Sequence, residues 1–132
     1  MMKMKKILAL TVLFVFLVSS VCLAYTPDPD RWYWIASDSE VGFFYDKKTI
    51  EYYDGGNTCD VWLMHVRPAE GKYVIGHEIY KKNRTRKILS IAIYSIKTDK
   101  LLGSIENPYP KYEDIIPGSF GETFYEILFY ER

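Results

Sequence analysis

The chain is poor in the residues that usually hold a small domain together or arm an active site. It has two cysteines and two histidines in 132 residues, and its 17 basic side chains balance 17 acidic ones. Because Cys22 lies in an apolar leader, Cys59 is the single thiol of the rest of the chain, and no internal disulfide framework can support the fold. Cys59 reads either as a small buried hydrophobe or as half of an intermolecular pair across a dimer. Balanced charge removes any general pull toward nucleic acid or an acidic membrane. No Gly-rich loop follows a strand, and there is no nucleophile-elbow or metalloprotease pattern. No acid, base and nucleophile converge, so the chain reads as non-enzymatic, without a cofactor. His65 and His77 fall on neighbouring strands and would share a metal or haem iron only if they faced the same side. With no Cys or carboxylate at ligand spacing, no metal site is assigned.

Long apolar runs are confined to one place. "MMKMKKILALTVLFVFLVSSVCLA" places Lys3, Lys5 and Lys6 before an apolar stretch and ends on small and apolar residues, the order of a secretory signal peptide. Residues 1–24 therefore read as an export signal cleaved after Ala24, and the protein as secreted or envelope-located. Retention as an anchor and lipidation at Cys22 are the other readings. Without the leader, 14 basic residues face 17 acidic ones, a net charge of −3. Residues 25–31, "YTPDPDR", read as a short linker, and residues 32–132 as one domain.

Short runs rich in aromatic and β-branched residues make up that domain. Strands are predicted near 31–37, 41–46, 59–67, 73–80, 86–97 and 100–105, separated by turn residues that include Asp54-Gly55-Gly56-Asn57 and Pro68. Alternation places Trp62, Met64 and Val66 on one face of the third strand, and Val61, Leu63 and His65 on the other. In the fifth strand, Leu89, Ile91 and Ile93 oppose Ser90, Ala92 and Tyr94. Short connections favour an antiparallel meander over βαβ units. "NPYPKYEDIIP" has too many prolines for a central strand and reads as an irregular crossing.

After it, Ser119 and Glu122 form a capping box, and Phe120, Phe124, Ile127 and Leu128 recur at helical spacing. A helix this short is marginal alone and must dock on the sheet. Four buried side chains at roughly 1.5–3 kcal/mol each would hold it. The fold class is α+β: an antiparallel sheet of about six strands with a C-terminal helix on one face. The helix is expected to seal that face and leave no catalytic cavity.

"YDKKTI" (Tyr45 to Ile50) and "IPGSFGETFYEIL" (Ile116 to Leu128), with Trp32, Trp62 and the Tyr94 strand in order, resemble the bacterial surface-adhesin protein E family. The resemblance implies a small antiparallel sheet on a C-terminal helix, surface exposure, binding of host proteins and a homodimer. Where many members carry paired cysteines, this chain has Ser90 and apolar residues. The matched residues are scaffold residues and map no ligand site.

Two groups of residues suggest partners. Lys81, Lys82, Arg84, Arg86 and Lys87, in "KKNRTRK", would project together from a hairpin tip toward an acidic protein or anionic glycan. The same charges also read as a solvated turn that discourages edge pairing. Tyr52, Tyr53, Tyr109 and Tyr112 fall in predicted loops, where exposed rings suit a protein interface or cover sheet edges. The function read from these features is a non-enzymatic binding or adhesion-type module of a bacterial envelope. The alternative is an envelope structural or interaction protein with no host ligand.

Overall fold

The structure is a computed structural model that describes residues 25–130. Residues 1–24, read as an export signal, and Cys22, the alternative lipidation site, lie outside the described residues. Among the described residues, eight antiparallel strands and one α-helix follow in chain order: β1 (Trp32–Ser37), β2 (Gly42–Asp46), β3 (Glu51–Tyr53), β4 (Thr58–Arg67), β5 (Lys72–Lys81), β6 (Thr85–Ser95), β7 (Leu101–Glu106), β8 (Glu113–Asp114) and α1 (Phe120–Tyr130). The main sheet runs β1-β2-β4-β5-β6-β7, with β3 added to β4 and β8 to β6. The fold is α+β, an antiparallel sheet with a C-terminal helix on one face.

Alternation along β4 sorts the two faces. Cys59, Val61 and Leu63 join Ile35, Phe43 and Tyr80 beneath Phe124, Tyr125 and Leu128 of α1. Met64 and Val66 pack on the opposite face with Tyr73, Trp32, Phe44, Ile75 and Tyr94. Cys59 is fully buried in the helix-side core, the position expected of a small buried hydrophobe. The turn before β5 uses Gly71 at φ 66°, a left-handed conformation that glycine adopts without a Cβ clash.

Several predicted features change. β3 lies within a segment predicted to be a connection, and pairs Glu51 with Asp60 and Tyr53 with Thr58 around the Asp54–Asn57 tip. The proline-rich crossing contains β8, which pairs only with Thr85 and Arg86 at the sheet edge. β6 carries a bulge: His77 pairs with Ser90 but Glu78 with Ile88, so Leu89 is the extra residue. Ile88, not Leu89, therefore joins Ile91 on the helix side. The segment read as a linker, residues 25–31, is packed, with Pro27 buried and Tyr25 stacked on Tyr73 at 5.4 Å between ring centroids.

The helix is rotated from its predicted face. Gly121, Phe124, Tyr125 and Leu128 are buried, while Phe120 is 49% exposed and covers the ring of Phe43 at 4.1 Å. Tyr125 is buried because its hydroxyl reaches the Lys82 carbonyl at 2.7 Å. Half of the capping box forms as expected, with Glu122 N–H donating to Ser119 Oγ at 3.4 Å. The return bond comes from Gly118 N–H to Glu122 Oε1 at 3.3 Å, one residue earlier than the box requires.

Candidate functional site

The basic hairpin tip does not project as a unit. The bulge at Leu89 turns Arg86 to the helix side, where it reaches Glu78 at 3.2 Å and Tyr80 Oη at 3.3 Å. Arg84 sits in the turn at φ 67° and bonds Glu122 at 2.6 Å, with Glu126 at 3.6 Å. Lys81 and Lys87 are on the other face and straddle the Tyr112 ring, at 4.1 and 4.7 Å from its centroid. Lys82 lies 5.7 Å from the Tyr130 ring. Two of the five cations are thus held by carboxylates, and the expected cluster is split across both faces.

The tyrosines divide in the same way. Tyr52 is half-buried and donates to the Leu128 carbonyl at 2.6 Å, so it ties β3 to α1 and offers no free interface ring. Tyr53 is exposed on β3 and donates its hydroxyl to Glu51. Tyr112 is partly covered between the two lysines. Tyr109 is the one that projects freely, 86% exposed.

A cleft of about 320 Å³ opens between the start of α1 and the uncovered half of the sheet, contrary to the sealed face expected from sequence. Val74, Gly76, Ile88 and Ile91 form its floor, and Phe120 and Phe124 form its wall. His65, Glu78, Arg86 and Ser119 reach it, so ionisable groups do gather there. Burial pushes the Glu78 carboxyl up, partly countered by Arg86 and the Tyr80 hydroxyl. Burial, helped by the positive charges of Arg67 and Arg86, pushes His65 down to about 4. The imidazole is therefore neutral near pH 7 and sits among the rings of Phe43 and Phe124. Ser119 Oγ donates to the Ile116 carbonyl at 2.6 Å. Among the described residues no hydrogen bond links Ser119, His65 and Glu78 into a proton relay.

The opposite face holds a second pocket, of about 370 Å³. Trp32, Trp62 and Tyr94 form its aromatic walls, and Ile75 and Ala92 lie between them. Two of these walls, Trp62 and Tyr94, are braced by a cross-strand neighbour. The Trp62 ring stacks on His77 at 4.3 Å and 10°, and His77 Nε2 is bonded to Asp60 at 2.6 Å. Tyr94 stacks on Tyr73 at 5.0 Å and 7°, and Tyr73 in turn carries Tyr25. Arg31 lines the same pocket and is held by Asp46, which accepts from Nε at 3.1 Å and Nη2 at 2.9 Å. Asp46 is 1% exposed and also accepts from Thr49 Oγ1 at 2.6 Å and Lys48 N–H at 3.0 Å. Burial pushes the Asp46 carboxyl up, but these hydrogen bonds outweigh it and hold the group below the ordinary range.

His65 faces the helix-side cleft and His77 the far pocket, so the two cannot share a metal. Among the described residues no cluster of His, Cys, Asp and Glu could hold an ion. No described helix is long and apolar enough to cross a membrane. The far pocket was only partly legible in the sequence. Alternation placed Trp62 on one face, but its convergence with Trp32 and Tyr94 needs the strand order. Arg31 and Asp46 carried no signal beyond their types.

No family model, no curated protein and no solved structure matches the chain.

Proposed function

We propose that the protein is a non-enzymatic binding module of a bacterial surface or envelope, working through the aromatic pocket on the face opposite the helix. The observation that carries this reading is preorganisation. Trp62, Tyr94 and Arg31 are each held in place by a second group, so a ligand need not pay to order them. The pocket is mainly apolar with a few fixed polar groups and falls within the range of about 300–1,000 Å³ typical of small-ligand sites. Resemblance to the surface-adhesin protein E family and the export-like leader support the location.

The test is an array of matrix proteins, glycans and small molecules probed with the protein and its Trp32→Ala variant. A ligand lost by a variant that keeps its circular dichroism and Tm supports the reading. Identical array profiles for the two proteins would remove it. A second reading, an envelope interaction protein without a host ligand, is favoured by β7. That edge strand is exposed along its whole length, with Ile105 at 71%.

A further inference from the structure

We infer that the far pocket binds a neutral saccharide of equatorially substituted pyranose rings, an inference that rests on the binding role proposed above. Charge balance selects the ligand. Arg31 and Asp46 are the charged residues lining the pocket, and they are paired with each other. A fixed acid beside the guanidinium cancels most of its pull on an anion at a distance. What remains is hydrogen bonding. Nε and Nη2 are engaged by Asp46, whereas no hydrogen bond of Nη1 is made within the described residues. Arg31 is 47% exposed, so a ligand can reach it. The site therefore offers a positioned donor without a net charge, which suits a hydroxyl or ring oxygen better than a sulfate.

The aromatic walls select the ring. An equatorially substituted pyranose presents C–H bonds on its two flat faces and hydroxyls around its rim. Those C–H hydrogens carry slight positive charge and are attracted to the negative face of an aromatic ring. Trp32, Trp62 and Tyr94 supply such walls, and Ile75 and Ala92 add apolar floor. An axial hydroxyl would push a polar group into this apolar lining and lose its water without a partner. The hydrophilic rim also has somewhere to go. In the strand register Trp62 is followed across the sheet by His77, Ser90 and Glu106, and Ile75 by Ala92 and Ser104. A short oligosaccharide leaving the pocket would run over these polar side chains toward the β7 edge.

The experiment is a fluorescence and calorimetric titration of the protein with cello- and chito-oligosaccharides, an α-mannose oligosaccharide and a heparin-derived octasaccharide. The expected result is saturable binding of an equatorial, neutral sugar, unchanged between 0.05 and 0.5 M salt (roughly a threefold change in screening length). Trp62→Ala and Trp32→Ala should each weaken it at least tenfold, Arg31→Gln severalfold, and Tyr109→Ala not at all. Trp62→Phe serves if Trp62→Ala does not fold, and should weaken binding while keeping the native Tm. A Trp62-dependent response to the heparin fragment or the mannoside, with none to the neutral equatorial sugars, overturns this inference and leaves the pocket as a binding site. Absence of binding by every sugar also overturns it. The array described above then decides separately whether the pocket binds anything.

Discussion

Tyr52 Oη donates to the backbone carbonyl of Leu128 at 2.6 Å, joining residues 76 positions apart. The carbonyl lies in the last turn of α1, where helix geometry leaves acceptors without an internal partner. A three-residue strand therefore closes the end of the helix that covers the core. Tyr52→Phe keeps the ring and removes the bond, and should cost about 1 kcal/mol in urea unfolding. Tyr53→Phe, one residue on but facing solvent, should leave the urea midpoint unchanged. Equal midpoints for both variants would mean that the Tyr52 bond does not matter to the fold.

His65 gives the fold a defined pH response. Its ordinary value is 6.5, and in the folded protein burial and the charges of Arg67 and Arg86 hold it down to about 4. The unfolded chain then binds a proton that the folded one refuses as pH falls below 6.5, so stability decreases. The loss from this group should reach about 2 kcal/mol between pH 7.5 and 5. Glu78 works in the opposite sense, since burial raises its carboxyl and its contribution fades as pH rises above the ordinary Glu range. Comparing the protein with His65→Leu isolates the histidine. The variant should lose the decline between pH 7.5 and 5, read from urea midpoints at several pH values. An unchanged slope would place the imidazole in water rather than among Phe43 and Phe124.

What the sequence made legible follows from how local each signal is. β4, β5 and β6 were found because apolar alternation and turn residues act within a few positions. β3 was hidden because three residues give no alternation to count, although "EYYDGGNTCD" is symmetric about its tip and could have been read as a hairpin. Stripe counting missed Gly121 and Tyr125 on the helix. Gly121 is buried because Arg86 lies against it, so close that an added Cβ would sit 3.0 Å from Nη1. Tyr125 is buried because its hydroxyl finds a carbonyl. Arg86 itself was counted with a run of surface charges: unbroken alternation from Ala92 would set it on the far face, and the bulge at Leu89 is what turns it to the helix side opposite Tyr80. The aromatic pocket was hidden for a different reason. Trp32, Trp62 and Tyr94 come from β1, β4 and β6, and only strand order brings them together.

Arg86 and Arg84 should differ sharply when removed. Glu78 is buried and depends on Arg86 and the Tyr80 hydroxyl for compensation. Arg86→Met leaves a buried carboxylate without its countercharge and should cost about 3–5 kcal/mol near pH 8. Without Arg86 the carboxyl takes up a proton more readily in the folded state, so the cost should shrink toward pH 5. Arg84 pairs with Glu122 and Glu126 at the surface, and Arg84→Ala should cost less than about 1 kcal/mol at either pH. Thermal or urea unfolding at the two pH values checks both. A cost for Arg86→Met that is small or independent of pH would mean that Glu78 finds compensation elsewhere.

Heparin chromatography separates what the basic hairpin offers from what it has already committed. Arg84 and Arg86 are neutralised by carboxylates, so their charges add little field at the surface. Lys81, Lys82 and Lys87 contact tyrosine rings, which leave their full charge for an external anion. Retention should therefore fall when Lys81, Lys82 and Lys87 are reversed together, and move only slightly for Arg84→Glu. The fall should disappear in high salt, because exposed charges are screened over about 8–10 Å at moderate ionic strength and less beyond it. If the triple reversal leaves elution unchanged, the turn is a solvated face and holds no anionic partner. If Arg84→Glu alone abolishes retention, its pairing with Glu122 and Glu126 is too weak to occupy it, and the five charges act together after all.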